Sequence, residues 1–178
     1  KIAPQLAFTH CGLFSDPPAE VDGNRAVSAR LEAIRGAACV KLGFAKDLQD
    51  ATDNSPAVPK VGFVAEPQDY TDISGKTVAA QDMGLCARVI SVFKCHKACP
   101  LTAASAISVA AQVPGTIVRE AARATQTQSL CIGHPSGVMT MFPYLEGAQK
   151  PLEEIRVTGV AVQRTARRIM DGTVYVRR

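Results

Sequence analysis

The segment Lys94-Cys95-His96-Lys97-Ala98-Cys99-Pro100-Leu101-Thr102-Ala103-Ala104 places two lysines, a histidine and two cysteines directly before a run of small apolar residues. A strand ends there and a buried helix begins. The first turn of such a helix presents free N–H groups and a partial positive charge, which suits a carboxylate. Ala103 and Ala104 are small enough to let a ligand reach that backbone, with Lys94, His96 and Lys97 beside it. The same residues also fit an ordinary core helix capped by Thr102, with its lysines in solvent. Cys95 and Cys99 with His96 between them match no zinc spacing cleanly, and no second ligand pair follows. As thiols they are either activated by the helix terminus or plain buried hydrophobes.

A second group is Gly133-His134-Pro135-Ser136-Gly137. Two glycines and a proline give a tight turn with exposed backbone, from which His134 and Ser136 project as donors or as a proton shuttle. The run also fits a purely structural turn. It is no nucleophile elbow, and nothing points to a Ser-His-Asp triad. A third group, Arg164-Thr165-Ala166-Arg167-Arg168, offers bidentate carboxylate binding, or else a solvated edge or interdomain ion-pair surface. His10-Cys11 stands too isolated to interpret.

These residues must be positioned by a core without Trp and with 5% aromatic residues, so Ala, Val, Ile and Leu must fill it. Residues 1–24 read as a loop or interdomain connection. Residues 25–38, with Val27, Leu31, Ile34 and Ala38 at steps of three and four, predict an amphipathic helix that frays between Gly36 and Gly43. Residues 46–59 read as a polar surface loop. Strands are expected at Lys60–Ala65, Thr77–Ala80 and Leu85–Phe93. In the last, Cys86, Arg88, Ile90 and Val92 share one face, and both faces read as covered. Residues 101–113 are apolar nearly all round and predict a buried helix stopped by Pro114-Gly115. Thr116–Val118, Ser129–Ile132, Val138–Phe142, Arg156–Gln163 and Ile169–Val176 complete the expected strands. The fold class that follows is α+β, a mostly antiparallel sheet rolled around a central helix.

The 178 residues suit one domain, and 47% apolar content suffices for a core. A net charge of +4 without a long basic run argues against nucleic-acid binding. The sequence has neither a long apolar run to span a membrane nor a signal-peptide pattern. The six irregularly spaced cysteines (11, 39, 86, 95, 99 and 131) read as mostly reduced, which predicts a cytoplasmic protein.

Taken in order, several motifs resemble the C-terminal half of the 2-methylaconitate isomerase (PrpF) family. They are Glu32–Gly43, Pro59–Ala65, Asp69-Tyr70, Ser91, Lys94 and His96, Thr102-Ala103-Ala104, Pro114-Gly115-Thr116, Gly133–Gly137, Arg164–Arg167 and Met170–Val176. The likeness runs from about residue 28 to 178 and divides the chain into 1–24, a linker or remnant, and 25–178, the PrpF-like domain. The resemblance implies a diaminopimelate epimerase-like fold and isomerisation of unsaturated di- and tricarboxylates by proton transfer, without cofactor or metal. It implies substrate contacts from Lys94, His96, Thr102, Ala103, Ala104, His134, Ser136 and Gly137. The family usually has Gly where Ala103 stands. Its catalytic Lys and Cys belong to an N-terminal domain, and Lys1 and Cys11 lie in no motif that matches it. The implied partners are a small unsaturated carboxylate and that missing domain or a second chain, including a homodimer. The alternative is a non-catalytic anion-binding or self-associating module.

Overall fold

A computed structural model describes residues 6–9, 16–122, 128–164 and 166–176. In chain order these form β1 (Leu6–Thr9), α1 (Pro18–Gly23), α2 (Arg25–Lys41), α3 (Leu48–Asn54), β2 (Lys60–Ala65), β3 (Tyr70–Thr71), β4 (Thr77–Val78), β5 (Leu85–Ser91), β6 (Lys94–Cys95), α4 (Leu101–Ala110), α5 (Ile117–Ala121), β7 (Leu130–His134), β8 (Gly137–Glu146) and β9 (Arg156–Val162).

Seven strands make one sheet in the order β1-β2-β5-β7-β8-β9, with β6 also on β5, while β3 and β4 pair separately. The pairs β2–β5, β5–β6, β7–β8 and β8–β9 are antiparallel; β1–β2 and β5–β7 are parallel. On one face lies α4. Its Ala103, Ala104 and Ile107 pack with Val64 of β2, Leu85, Ala87 and Val89 of β5, Leu130 and Ile132 of β7, and Met141 of β8, and Val160 and Val162 of β9 pack onto the same cluster. One ten-residue helix touching the sheet from β2 to β9 requires the sheet to curl round it. The α+β class expected from the sequence holds.

The opposite face carries a second core. Val21 of α1, Leu31 of α2 and Tyr70 of β3 meet Val61 and Phe63 of β2, Cys86 of β5 and Cys95 of β6. Strand β5 therefore divides its side chains as the alternation predicts, with Leu85, Ala87 and Val89 toward α4 and Cys86 toward the second core.

Several local expectations are corrected. The region 1–24 contains a strand, β1, in parallel register with β2, and a helix, α1, that buries Val21. Six residues are too few to show a helical period, but Pro18 at the first helical position pre-sets its φ. The loop expected over 46–59 contains α3, begun by Asp47, whose side chain accepts the Asp50 N–H at 2.8 Å. Gly36 is no frayed end: α2 continues to Lys41, and a Cβ on Gly36 would stand 3.3 Å from Leu48 Cδ2, so the absent side chain lets α3 lie close. Thr116 opens a helix rather than a strand, its hydroxyl accepting the Arg119 N–H at 3.1 Å. Residues 166–176 form no strand, because among the described residues no strand lies beside them to pair with.

Candidate functional site

The turn His134–Gly137 joins β7 to β8, and His134 pairs with Gly137 in register. Gly137 sits at φ +118°, a region that side chains other than glycine's strain against. Four hydrogen bonds fix the turn. The Tyr70 hydroxyl reaches the His134 carbonyl at 2.8 Å and the Gly137 carbonyl at 2.6 Å. The Ile73 N–H donates to the Pro135 carbonyl at 2.8 Å. The Ser136 hydroxyl donates to the Lys97 carbonyl, 39 residues away in the chain. That last bond joins the two motif segments expected to form the site.

His134 is 6% exposed. Its Nδ1 accepts the Ser136 N–H at 3.2 Å, a geometry that leaves the ring proton on Nε2 when the imidazole is neutral. Burial, followed by the charges of Arg88 and His96, pushes its pKa down to about 4. His96 is exposed, and its backbone N–H donates to the Val89 carbonyl at 2.8 Å. Its ring Nδ1 lies 2.9 Å from the Ala98 carbonyl oxygen and 3.1 Å from the Ala98 nitrogen. Lys94 is turned to α1, where its ammonium stands 3.8 Å from Asp22 Oδ2.

At the start of α4 the N-cap is Pro100, which has no side chain to cap with, and not Thr102. The first amide to find a helical partner is that of Ala104, bonded to the Pro100 carbonyl at 2.8 Å. Among the described residues, the N–H groups of Leu101, Thr102 and Ala103 have no acceptor. Thr102 is exposed at this turn, with Ala103 and Ala104 buried behind it.

Arg88 of β5 received no role from the sequence beyond its place on a strand face. It is 2% exposed. Its guanidinium lies 4.9 Å from the centroid of the Tyr70 ring, and Nη1 donates to the Ala87 carbonyl at 2.9 Å. Its Nε has no partner, and no carboxylate pairs with it among the described residues. The available signal was a guanidinium inside an otherwise apolar strand. Tyr70 was visible only as part of the resemblance.

The reactive-thiol reading of Cys95 and Cys99 is overturned. Burial pushes their pKa up to about 11 and about 12, so both are protonated thiols near neutral pH. Among the described residues no group of three or more His, Cys, Asp or Glu side chains converges as a metal set. Arg164, Arg167 and Arg168 are exposed, with Arg168 paired to Asp171 at 3.0 Å, while Thr165 lies outside the described residues, as do Lys1, His10 and Cys11. A cavity of about 150 Å³ on the α2 side of the sheet is lined by none of the expected site residues.

Residues 14–177 match the family model described as PrpF protein. The chain belongs to the PrpF family. This PrpF-family chain is 38% identical over 164 residues to a 3-methylitaconate isomerase of Eubacterium barkeri, covering 91% of the chain and 41% of that protein. It is 37% identical over 176 residues to a 2-methyl-aconitate isomerase of Shewanella oneidensis, covering 98% of the chain and 42% of that protein. Among solved structures it is similar to a methylitaconate-delta-isomerase with TM-score 0.77 and 31% identity, over 89% of the chain and 42% of that structure. The chain thus spans about two fifths of the length of these relatives. No helix among the described residues is long and apolar enough to cross a membrane.

Proposed function

We propose that this chain is the substrate-binding half of a cofactor-independent isomerase acting on unsaturated di- and tricarboxylates of the methylaconitate, aconitate and methylitaconate class. The observation that carries this reading is the Ser136–Lys97 bond, which brings the His134–Gly137 turn against the segment leading to the uncapped start of α4. A carboxylate would be the complementary group for the three free amides at the start of α4, and His96 and His134 stand on the two segments that this bond joins.

In the proposed reaction a base removes the proton from the carbon allylic to the double bond and adjacent to a carboxylate-stabilised system. The electron pair delocalises over three carbons toward the carboxylate, and a proton returns at the far carbon, so the double bond moves or its geometry inverts. Negative charge grows on the carboxylate during this step. The amides of Thr102 and Ala103, with the Nε2–H of His134, would hold that charge, and Ser136 would keep the turn against Lys97. The proton-moving Lys and Cys would come from an N-terminal domain or a second chain. On this reading 25–178 form the PrpF-like domain and 1–24 are a linker or remnant of the N-terminal domain, of which β1 and Val21 join the sheet and its second core. A cytoplasmic setting accords with the free thiols of Cys39, Cys86, Cys95, Cys99 and Cys131.

The test is NMR of the chain in heavy water with aconitate and methylitaconate. The expected result is that the acids perturb the resonances of Thr102, His134 and Ser136 and exchange no deuterium until the complementary domain is added. Absence of any perturbation at these residues would remove the reading.

A second reading, a self-associating module without catalysis, is favoured by one observation. Ile169, Met170, Val174, Tyr175 and Val176 are each more than four fifths exposed, at 81% to 94%. An apolar face of this kind associates with something. Light scattering distinguishes the two: a monomer at high concentration argues against self-association.

A further inference from the structure

Three successive residues tie the segment before α4 to three different parts of the molecule. The Lys97 carbonyl accepts the Ser136 hydroxyl from the β7–β8 turn. The His96 N–H donates to the Val89 carbonyl of β5 at 2.8 Å. The Cys95 N–H donates to the Asp22 carboxylate of α1, at 2.7 Å to Oδ1. The first two holds come from the turn and the sheet. The third comes from α1, in the stretch 1–24 that reads from sequence as a linker or remnant.

We propose that Asp22 is a positioning residue for the carboxylate site: by holding the Cys95 amide from α1, it fixes the segment that carries His96 and the carbonyl on which the Ser136 hydroxyl rests. The inference rests on the carboxylate-site reading above and adds to it a residue that touches no substrate.

Strand alternation leaves Cys95 in need of such a partner. In the sheet β6 pairs with β5 alone, Lys94 opposite Ser91 and Cys95 opposite Ile90. Successive N–H groups of a strand point to opposite sides, so with the His96 N–H turned to β5 the Cys95 N–H faces out. A carboxylate is a strong acceptor for that amide, and 2.7 Å is the short distance of a charge-assisted bond. Asp22 is itself held on both sides. Val21 is buried in the second core, and Asn24 caps α2 by accepting the Val27 N–H at 3.2 Å. The carboxylate is therefore presented from a fixed backbone. Lys94 adds little to this hold, because its ammonium stands 3.8 Å from Asp22 Oδ2 on a side chain 73% exposed, where water screens the pair. The pair does draw that ammonium toward α1, so Asp22 sets the direction of Lys94 as well. Without the Asp22 acceptor, the segment is released on its outer side, two residues before the Lys97 carbonyl.

The experiment compares variants at constant charge, because removing a carboxylate near an anion site changes affinity by itself. Asp22→Asn and Asp22→Ala both lose the charge, and only the first keeps an acceptor for the Cys95 N–H. Aconitate is titrated into each by calorimetry, and the amide shifts of the unliganded chains are read by NMR. Aconitate should bind about 3- to 10-fold more weakly to Asp22→Ala than to Asp22→Asn, the worth of one hydrogen bond. The shifts should spread from Cys95 to Lys97 and Ser136. A residue that only stabilised the fold would lower the melting temperature without separating the two affinities. Asp22→Glu against wild type keeps the charge and displaces the acceptor by a methylene; it should also weaken binding, and it carries the test where Asp22→Ala does not fold. Equal affinities within a folded pair overturn the inference. So do shifts that stop at Cys95 and leave Lys97 and Ser136 unmoved. If wild type binds no aconitate while the Asp22→Ala shifts reach Ser136, the site reading fails and the hold of Asp22 on the segment stands.

Discussion

Tyr70 does two jobs with one side chain, its ring lying over Arg88 and its hydroxyl meeting the His134 and Gly137 carbonyls. Tyr70→Phe keeps the ring and removes the single O–H that the two carbonyls share. We expect a loss of about 1–3 kcal/mol in denaturant unfolding, with binding of unsaturated acids weakened because the turn loosens. His134 makes a separate prediction at the same scale. Its folded pKa, about 4, lies below the ordinary histidine value of 6.5. Between these two values the unfolded chain binds a proton that the folded chain refuses. The stabilisation is therefore full above pH 6.5 and is lost as pH falls through about 4. Its size is on the order of 2–3 kcal/mol, and His134→Gln should flatten that part of the stability–pH curve.

At the scale of elements, α4 carries the core and the site together. Ile107 is fully buried between α4 and the curled sheet. Ile107→Ala should cost about 2–5 kcal/mol in thermal or denaturant unfolding, as large-to-small core changes do. The β5–β6 hairpin behaves in the opposite sense. Ser91 pairs with Lys94, so Val92 and Phe93 form a two-residue turn, and both have left-handed backbone, at φ 49° and 63°. Such turns favour Asn-Gly, and a β-branched residue is strained there. The double change Val92→Asn, Phe93→Gly is expected to stabilise the chain by about 1–2 kcal/mol, read from the unfolding midpoint.

For the molecule as a whole, the exposed stretch 166–176 is the feature with most consequence. Its side chains contribute to neither buried cluster, so shortening the chain after Arg164 should leave the fold and melting temperature nearly unchanged. If these residues drive association, the same truncation should lower the light-scattering mass of any oligomer at high concentration. An unfolded truncated chain would show that the stretch belongs to the core after all.

The sequence by itself determined the features that rest on local pattern. The all-round apolar run at 101–113 announced α4, because no face of such a helix can meet water. The alternation in β5 announced a strand covered on both sides. The motif order pointed to the PrpF family, since several separate residue patterns in one order are specific where each alone is not. Other features had no local signature. The helices α1 and α3 are too short to show a period, and the helical fate of Thr116 depends on a single hydroxyl. The last residues alternate like a strand yet lack a neighbour, and strand pairing is a property of two segments. Thr102 looks like a cap by residue type, but the chain enters α4 two residues sooner, at Pro100. Above all, only the tertiary structure put Arg88 against Tyr70, and Ser136 against Lys97. These contacts span long stretches of chain, and their chemistry exists only once the sheet has curled.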